Sequence, residues 1–211
     1  MPLPNDRFII AIDGPSATGK TTLSKALAQK IQFPLLLTGK IYRAFAKVII
    51  ERNIDTTDHS SIIPAIRCFD LASLEQNLDG EELAKTASII SSILEVRKYA
   101  DQVQYDFIEQ NHHAILEGRD IGTVICPDAN LKIFLTASPE VRAQRRLSES
   151  HAGETYEQVR KQIIERDYRD ANRDISPLIP ASDAIIIDNS NLSPSEQLSK
   201  VLILLSQNFC R

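Results

Sequence analysis

Eight consecutive residues carry the strongest chemical signal in this chain. Residues 14–21 read Gly14-Pro15-Ser16-Ala17-Thr18-Gly19-Lys20-Thr21, the spacing G-x-x-x-x-G-K-[ST] of a phosphate-binding loop, and an apolar run precedes them. Glycines let the backbone curl so that its N–H groups converge on phosphate oxygens, and a helix starting at Lys20 adds a partial positive charge. Lys20 brings a full charge to the β- and γ-phosphates. Thr21 supplies a hydroxyl for Mg²⁺, a cation that keeps most of its waters, and Thr22 continues the phosphate cradle. The expected donor is therefore ATP with Mg²⁺, although such a loop by itself specifies a nucleotide and not a reaction.

The second substrate has to be read from the arginines, which pair bidentately with phosphate and keep their charge in a closed site. They cluster at Arg43, Arg97, Arg119, Arg142 with Arg145 and Arg146, and Arg166 with Arg169 and Arg173. Arg119 directly follows an apolar run ending at Glu117, and ligands of open α/β sheets bind at the carboxyl ends of the strands. A carboxylate at Glu117 is costly there unless it meets a cation, a metal-bound water or a hydroxyl. It faces Mg²⁺ or the acceptor, or it forms an ion pair with Arg119 or Lys20. Asp13, next to the loop, is either catalytic or a buried partner of Lys20. Arg145 and Arg146 fall where a lid would close over ATP and exclude water.

Short apolar runs alternate with stretches of helical period, so these groups must be positioned by an α/β fold with a parallel sheet. Strands are expected at 8–13, 35–38, 114–117, 132–137 and 184–188. Helices are expected at 20–31, 41–53, somewhere within 81–109, and at 140–148, 156–172 and 196–209. Ser193 with Glu196 forms a capping box before the last. Residues 56–80 are polar and show no strong period. The fold class is that of P-loop NTPases, a five-stranded parallel sheet flanked by helices, in one domain with a reduced acceptor-side insertion near 54–88 and a lid near 142–173.

Composition narrows the function further. With 24 basic against 28 acidic residues the net charge is -4, which offers nucleic acid and anionic membrane no general attraction. No apolar stretch nears the ~20 residues that span a bilayer. Cysteines 68, 126 and 210 make an odd, dispersed set, which argues for free thiols in a reducing cytoplasm.

Four separated blocks together resemble the bacterial cytidylate kinase family: 12–15 running into the phosphate loop, Gly39-Lys40-Ile41-Tyr42-Arg43, Glu117-Gly118-Arg119-Asp120-Ile121-Gly122-Thr123-Val124, and Arg166-Asp167-Tyr168-Arg169-Asp170-Ala171-Asn172-Arg173. The resemblance implies transfer of the γ-phosphoryl of ATP to CMP or dCMP. It also implies that Arg43, Arg119 and Arg173 hold the acceptor phosphate, that Thr38, Arg166 and Asp170 lie near the ribose, and that Ser88, Arg97 and Asp120 read the cytosine. Lys20, Arg119, Arg145 and Arg173 would carry the transfer, with Arg145 also on ATP and Glu117 reaching Mg²⁺ through water. The chain departs from the family pattern at Leu37, where a carboxylate is usual, and at Thr21, where glycine is common. Both substrates can be held by one chain, so a monomer is expected. Two other readings stay open: a kinase of another small acceptor, and an ATP-dependent regulatory switch that transfers nothing.

Overall fold

The computed structural model describes residues 6–67, 69, 74, 77–149 and 153–209. The chain divides into two compact units, one formed by residues 1–36 and 108–211 and the other by residues 37–107. The expected insertion at 54–88 lies within the second.

Five parallel strands build the first unit: β1 (Phe8–Asp13), β2 (Leu35–Leu37), β3 (His113–Glu117), β4 (Leu131–Thr136) and β5 (Ile185–Asp188), in the spatial order β2-β3-β1-β4-β5. β1 is buried along its whole length because it lies mid-sheet with helices over both faces, hence its near-continuous apolar sequence. The register sets Ile12 opposite Glu117 on one side, and Asp13 opposite Phe134 on the other. The strand order therefore runs outward both ways from β1, and the loop after β1 opens at the switch point of the sheet. Helix α1 (Lys20–Ile31) packs on α8 (Pro194–Phe209), and Leu23 and Leu27 meet Ile10, Ile12, Ile133, Val201 and Leu205 in the core. Helices α6 (Pro139–Glu149) and α7 (Tyr156–Asn172) pair through Ala143, Val159 and Ile163.

The second unit is helical. It contains α2 (Thr38–Glu51), α3 (His59–Ile66), α4 (Glu81–Ile90) and most of α5 (Leu94–Gln110). Phe45, fully buried, sits in edge contact with the rings of Tyr42, Phe69 and Tyr99.

Several expected boundaries moved. Thr38 was expected to end a strand and instead opens α2. The helix expected somewhere within 81–109 is two, α4 and α5, separated where the hydroxyls of Ser91 and Ser92 bond back to the carbonyls of Ser88 and Ile89. Residues 56–80 contain α3, only eight residues long with Pro64 inside it, too short to show a period. The capping box at Ser193 is present, with the Ser193 N–H donating to Glu196 Oε2 at 2.8 Å and the Glu196 N–H to Ser193 Oγ at 3.3 Å.

Candidate active site

The phosphate loop joins β1 to α1 as the motif requires. A Cβ on Gly14 would stand 2.0 Å from the carbonyl oxygen of Leu135, so only glycine lets the loop leave β1 this close to β4. Gly19, with φ of 84°, makes the left-handed turn into α1. The outer face of the loop is held through its carbonyls. Lys20 Nζ donates to Pro15 O at 2.6 Å, Arg142 Nη1 to Ser16 O at 3.3 Å, and Asn189 Nδ2 to Thr18 O at 2.5 Å. Ala17, in the left-handed region with φ of 57°, packs against the α6–α7 pair.

Lys20 is 4% exposed. Its ammonium is pushed down to about 7, first by burial and then by the positive charge of Arg119, with Arg166 adding to the effect and Glu117 opposing it. An anion placed among Lys20, Arg119 and Arg166 would relieve that repulsion.

The two carboxylates at the strand ends play different parts. Glu117 Oε2 accepts the hydroxyl of Thr21 at 2.9 Å, and its charge also acts on Lys20. That pair of hard oxygens at the start of α1 fits Mg²⁺. Among the described residues no cluster of three His, Cys, Asp or Glu could hold a metal, so the other ligands would be phosphate oxygens and water. Asp13, expected to be catalytic or a buried partner of Lys20, accepts the N–H groups of Ile121 at 2.9 Å and Gly122 at 2.8 Å, and its charge also acts on Lys20. Burial raises its carboxyl to about 6, against the lowering effect of those two bonds, and Lys20 contributes least. Asp13 thus moors a π-helical turn, Ile121–Ile125, at the start of which stand Arg119 and Asp120.

The arginines after β3 and along α7 are linked by shared carboxylates. Arg119 Nε lies 3.3 Å from Asp170 Oδ2, Arg166 Nε lies 3.8 Å from the same oxygen, and Arg173 Nη2 lies 3.7 Å from Asp120 Oδ1. Asp170 is 4% exposed, and its carbonyl accepts the Leu178 N–H at 2.7 Å, fixing the turn that follows α7. In this way residues 117–120 and 166–178 form one cationic group with built-in counter-charges. Arg145 points to the other side of the loop, donating from Nη1 to Asn189 Oδ1 at 3.0 Å and from Nη2 to Asn189 O at 2.8 Å.

In the second unit, Arg97 is 2% exposed, with Nη1 donating to Ser91 O at 3.3 Å, Nη2 lying 3.9 Å from Asp101 Oδ1, and its guanidinium 5.9 Å from the centre of the Tyr42 ring. Ser88 is half-buried on α4, and its carbonyl accepts the Ser91 hydroxyl at 2.9 Å. Arg43 donates from Nη1 to Leu78 O at 2.6 Å, and Thr38 is buried at the start of α2.

The sequence profile of cytidylate kinases matches residues 10–207. Cytidylate kinase of Rhodospirillum rubrum is 41% identical over 207 residues, covering 94% of this chain and 97% of that one. Cytidylate kinase of Rhodopseudomonas palustris strain BisB5 is 45% identical over 189 residues, 88% of this chain and 89% of that one.

The chain belongs to the cytidylate kinase family.

Among solved structures, the shikimate kinase of Bacteroides thetaiotaomicron superposes with a TM-score of 0.52 at 14% identity, covering 95% of this chain and 99% of that one. At such identity it speaks to the fold alone, that of a P-loop kinase. As a member of the cytidylate kinase family this chain is a phosphotransferase. Three residues that sequence reasoning left without a role hold its phosphate loop: Arg142, its partner Asp167 at 2.6 Å, and Asn189. Arg142 had a visible signal, its place in an arginine cluster. Asn189 had only its position just past a strand end.

Proposed function

We propose that this member of the cytidylate kinase family transfers the γ-phosphoryl of ATP to CMP or dCMP, forming the diphosphate and ADP. The observation that carries the reading is a second cation set beside the donor loop: Glu117 takes the Thr21 hydroxyl at 2.9 Å, and Arg119, two residues on, shares Asp170 with Arg166 at 3.3 and 3.8 Å. A switch that binds one nucleotide has no need of a second cation set at its phosphates.

In this reading residues 14–22 cradle the donor phosphates, Lys20 spans the β- and γ-phosphates, and Arg145 supports them from the lid region. Arg119 and Arg173 hold the acceptor phosphate. Arg43, Thr38, Ser88 and Arg97 of the second unit are assigned to the acceptor on the family's pattern, with Asp120 and Arg97 reading the donor and acceptor groups of cytosine, and Arg166 and Asp170 serving the ribose. Thr21 would hold Mg²⁺ directly and Glu117 through water. The chemistry that ion supplies when bound is neutralisation of charge between the β- and γ-phosphates. The acceptor oxygen is already anionic near neutral pH, so no side chain has to remove a proton. Lys20, Arg119 and Arg173 act by position and charge on an in-line transfer. The protein is taken to work as a monomer in the cytoplasm, a setting that suits the buried free thiol of Cys126. No described helix is long and apolar enough to cross a membrane.

The test is ADP formation from ATP and Mg²⁺ with CMP, dCMP, UMP, AMP and GMP supplied singly, beside a control without acceptor. Turnover confined to CMP and dCMP is expected. Activity only with another acceptor would sink the cytosine assignment and keep the chemistry, whereas hydrolysis independent of acceptor would replace transfer by a switch.

A further inference from the structure

Asn189 lies just beyond β5, fully buried, and every polar atom of its side chain and backbone is engaged. Its N–H donates to Thr136 O at 2.9 Å at the end of β4, and its carbonyl accepts from Leu192 N at 3.2 Å and Arg145 Nη2 at 2.8 Å. Its side-chain oxygen accepts from Arg145 Nη1 at 3.0 Å, which leaves the amide nitrogen as a fixed donor. That nitrogen donates to Thr18 O at 2.5 Å. Thr18 O precedes the first carbonyl of the α1 ladder, since Leu23 N bonds to Gly19 O at 3.0 Å. Its closest donors are therefore Asn189 and, at 3.5 Å, Arg145 Nη1.

The Thr18 carbonyl and the Gly19 N–H belong to one planar trans peptide and point in opposite directions. Gly19 has no side chain and a positive φ, so nothing local prevents this peptide from turning over. Whatever holds the carbonyl aims the N–H.

We propose that Asn189 is a positioning residue for the donor nucleotide: by clasping the Thr18 carbonyl it turns the Gly19 N–H toward a phosphate oxygen, and by engaging Arg145 it orients that guanidinium at the same end of the loop. The inference rests on the reading of residues 14–22 as the donor site. It adds a control point 171 residues away in sequence from the carbonyl it clasps.

Asn189→Asp separates this role from packing. The carboxylate has the same shape and still accepts from Arg145, but it cannot donate, and it sets an oxygen against the Thr18 carbonyl. Calorimetric titration of MgADP into the full chain is expected to show about tenfold weaker binding for Asn189→Asp and Asn189→Ala, the loss of one buried hydrogen bond and its aim. The KM for CMP should change less than twofold, and Asn189→Asp, which buries an oxygen against the Thr18 carbonyl, should melt lower but still in one cooperative transition. MgADP binding within twofold of wild type in the folded Asp variant overturns the proposal, as does an equal rise in both KM values. Should neither variant fold, the wild-type Gly19 amide decides: its ¹⁵N–¹H resonance is expected to move on MgADP addition, and a stationary resonance overturns the proposal. Wild-type protein that binds MgADP but phosphorylates no cytidylate would defeat the functional reading and leave this inference standing. Failure of the wild type to bind MgADP defeats both.

Discussion

The two sides of the transfer site in the first unit are held by different forces. The donor side, residues 14–21, is held by neutral and charged donors bonding to its carbonyls from Lys20, Arg142 and Asn189 at 2.5–3.3 Å. The acceptor side, 117–120 with 166–173, adds charge pairing to its backbone bonds: Arg119 and Arg173 donate to Gly118 O and Ser176 O, and Asp170 and Asp120 neutralise Arg119, Arg166 and Arg173 at 3.3–3.8 Å. Hydrogen bonds to a backbone fix direction, so the donor loop keeps one shape. Ion pairs at those distances fix charge more than direction. An incoming phosphate can therefore take the arginines from Asp170 and Asp120, while the loop need not rearrange.

Arg119→Ala gives the sharpest break in this contrast. It should lower kcat/KM for CMP by roughly 10³-fold while MgATP affinity stays within a few-fold, because the lost charge faces the acceptor. Equal loss in a direct MgATP titration would erase the division between the two sides. Glu117→Gln should cost about tenfold to a hundredfold in kcat and raise the Mg²⁺ concentration needed for half-maximal rate, since the amide keeps the bond to Thr21 but loses its charge. An unchanged Mg²⁺ dependence would detach Glu117 from the metal.

Asp170→Asn tests the looser side. It removes the counter-charge of Arg119 and Arg166, and a rise of a few-fold in the KM for CMP, with MgADP binding unaltered, is expected from their lost alignment. A tighter CMP site would instead mean that Asp170 competes with the phosphate more than it guides it.

The smallest effect concerns Asp13. Its carboxyl is raised by burial to about 6, above the ordinary 3.8, so the native state binds more protons than the unfolded state between those values. The sign follows: stability falls as pH rises from about 4 to about 6, and the full cost, of order 3 kcal/mol, is present above that window. Asp13→Asn should abolish this part of the slope in urea unfolding measured from pH 4 to 7. A wild-type minus variant difference that is flat across the window would contradict the burial argument.

Legibility along the chain followed the range of the interactions. The helices at 20–31 and 156–172 have the bounds read from the sequence because their start signals are local, the Gly19 turn for the first and the reciprocal cap of Thr155 and Gln158 for the second. The backbone partners of Asp13 were not legible because Ile121 and Gly122 lie 108 and 109 residues on, and nothing near Asp13 announces them. The same distance hid Asn189. The break at residues 91–93 was local, but serines bonding back to carbonyls leave the helical period almost unaltered, so the period placed helix within 81–109 without locating the break.

By itself, the sequence determined the phosphate loop, the parallel α/β class and the family, since each is encoded by contiguous residues whose types and spacing have few physical solutions. Which carboxylate meets the Thr21 hydroxyl, which one moors the turn after Arg119, and which side chains aim the loop amides were decided only by the tertiary structure. Those choices depend on strand order. With β3 and β4 on either side of β1, Glu117 comes level with Ile12, and residues from opposite ends of the chain gather around one loop.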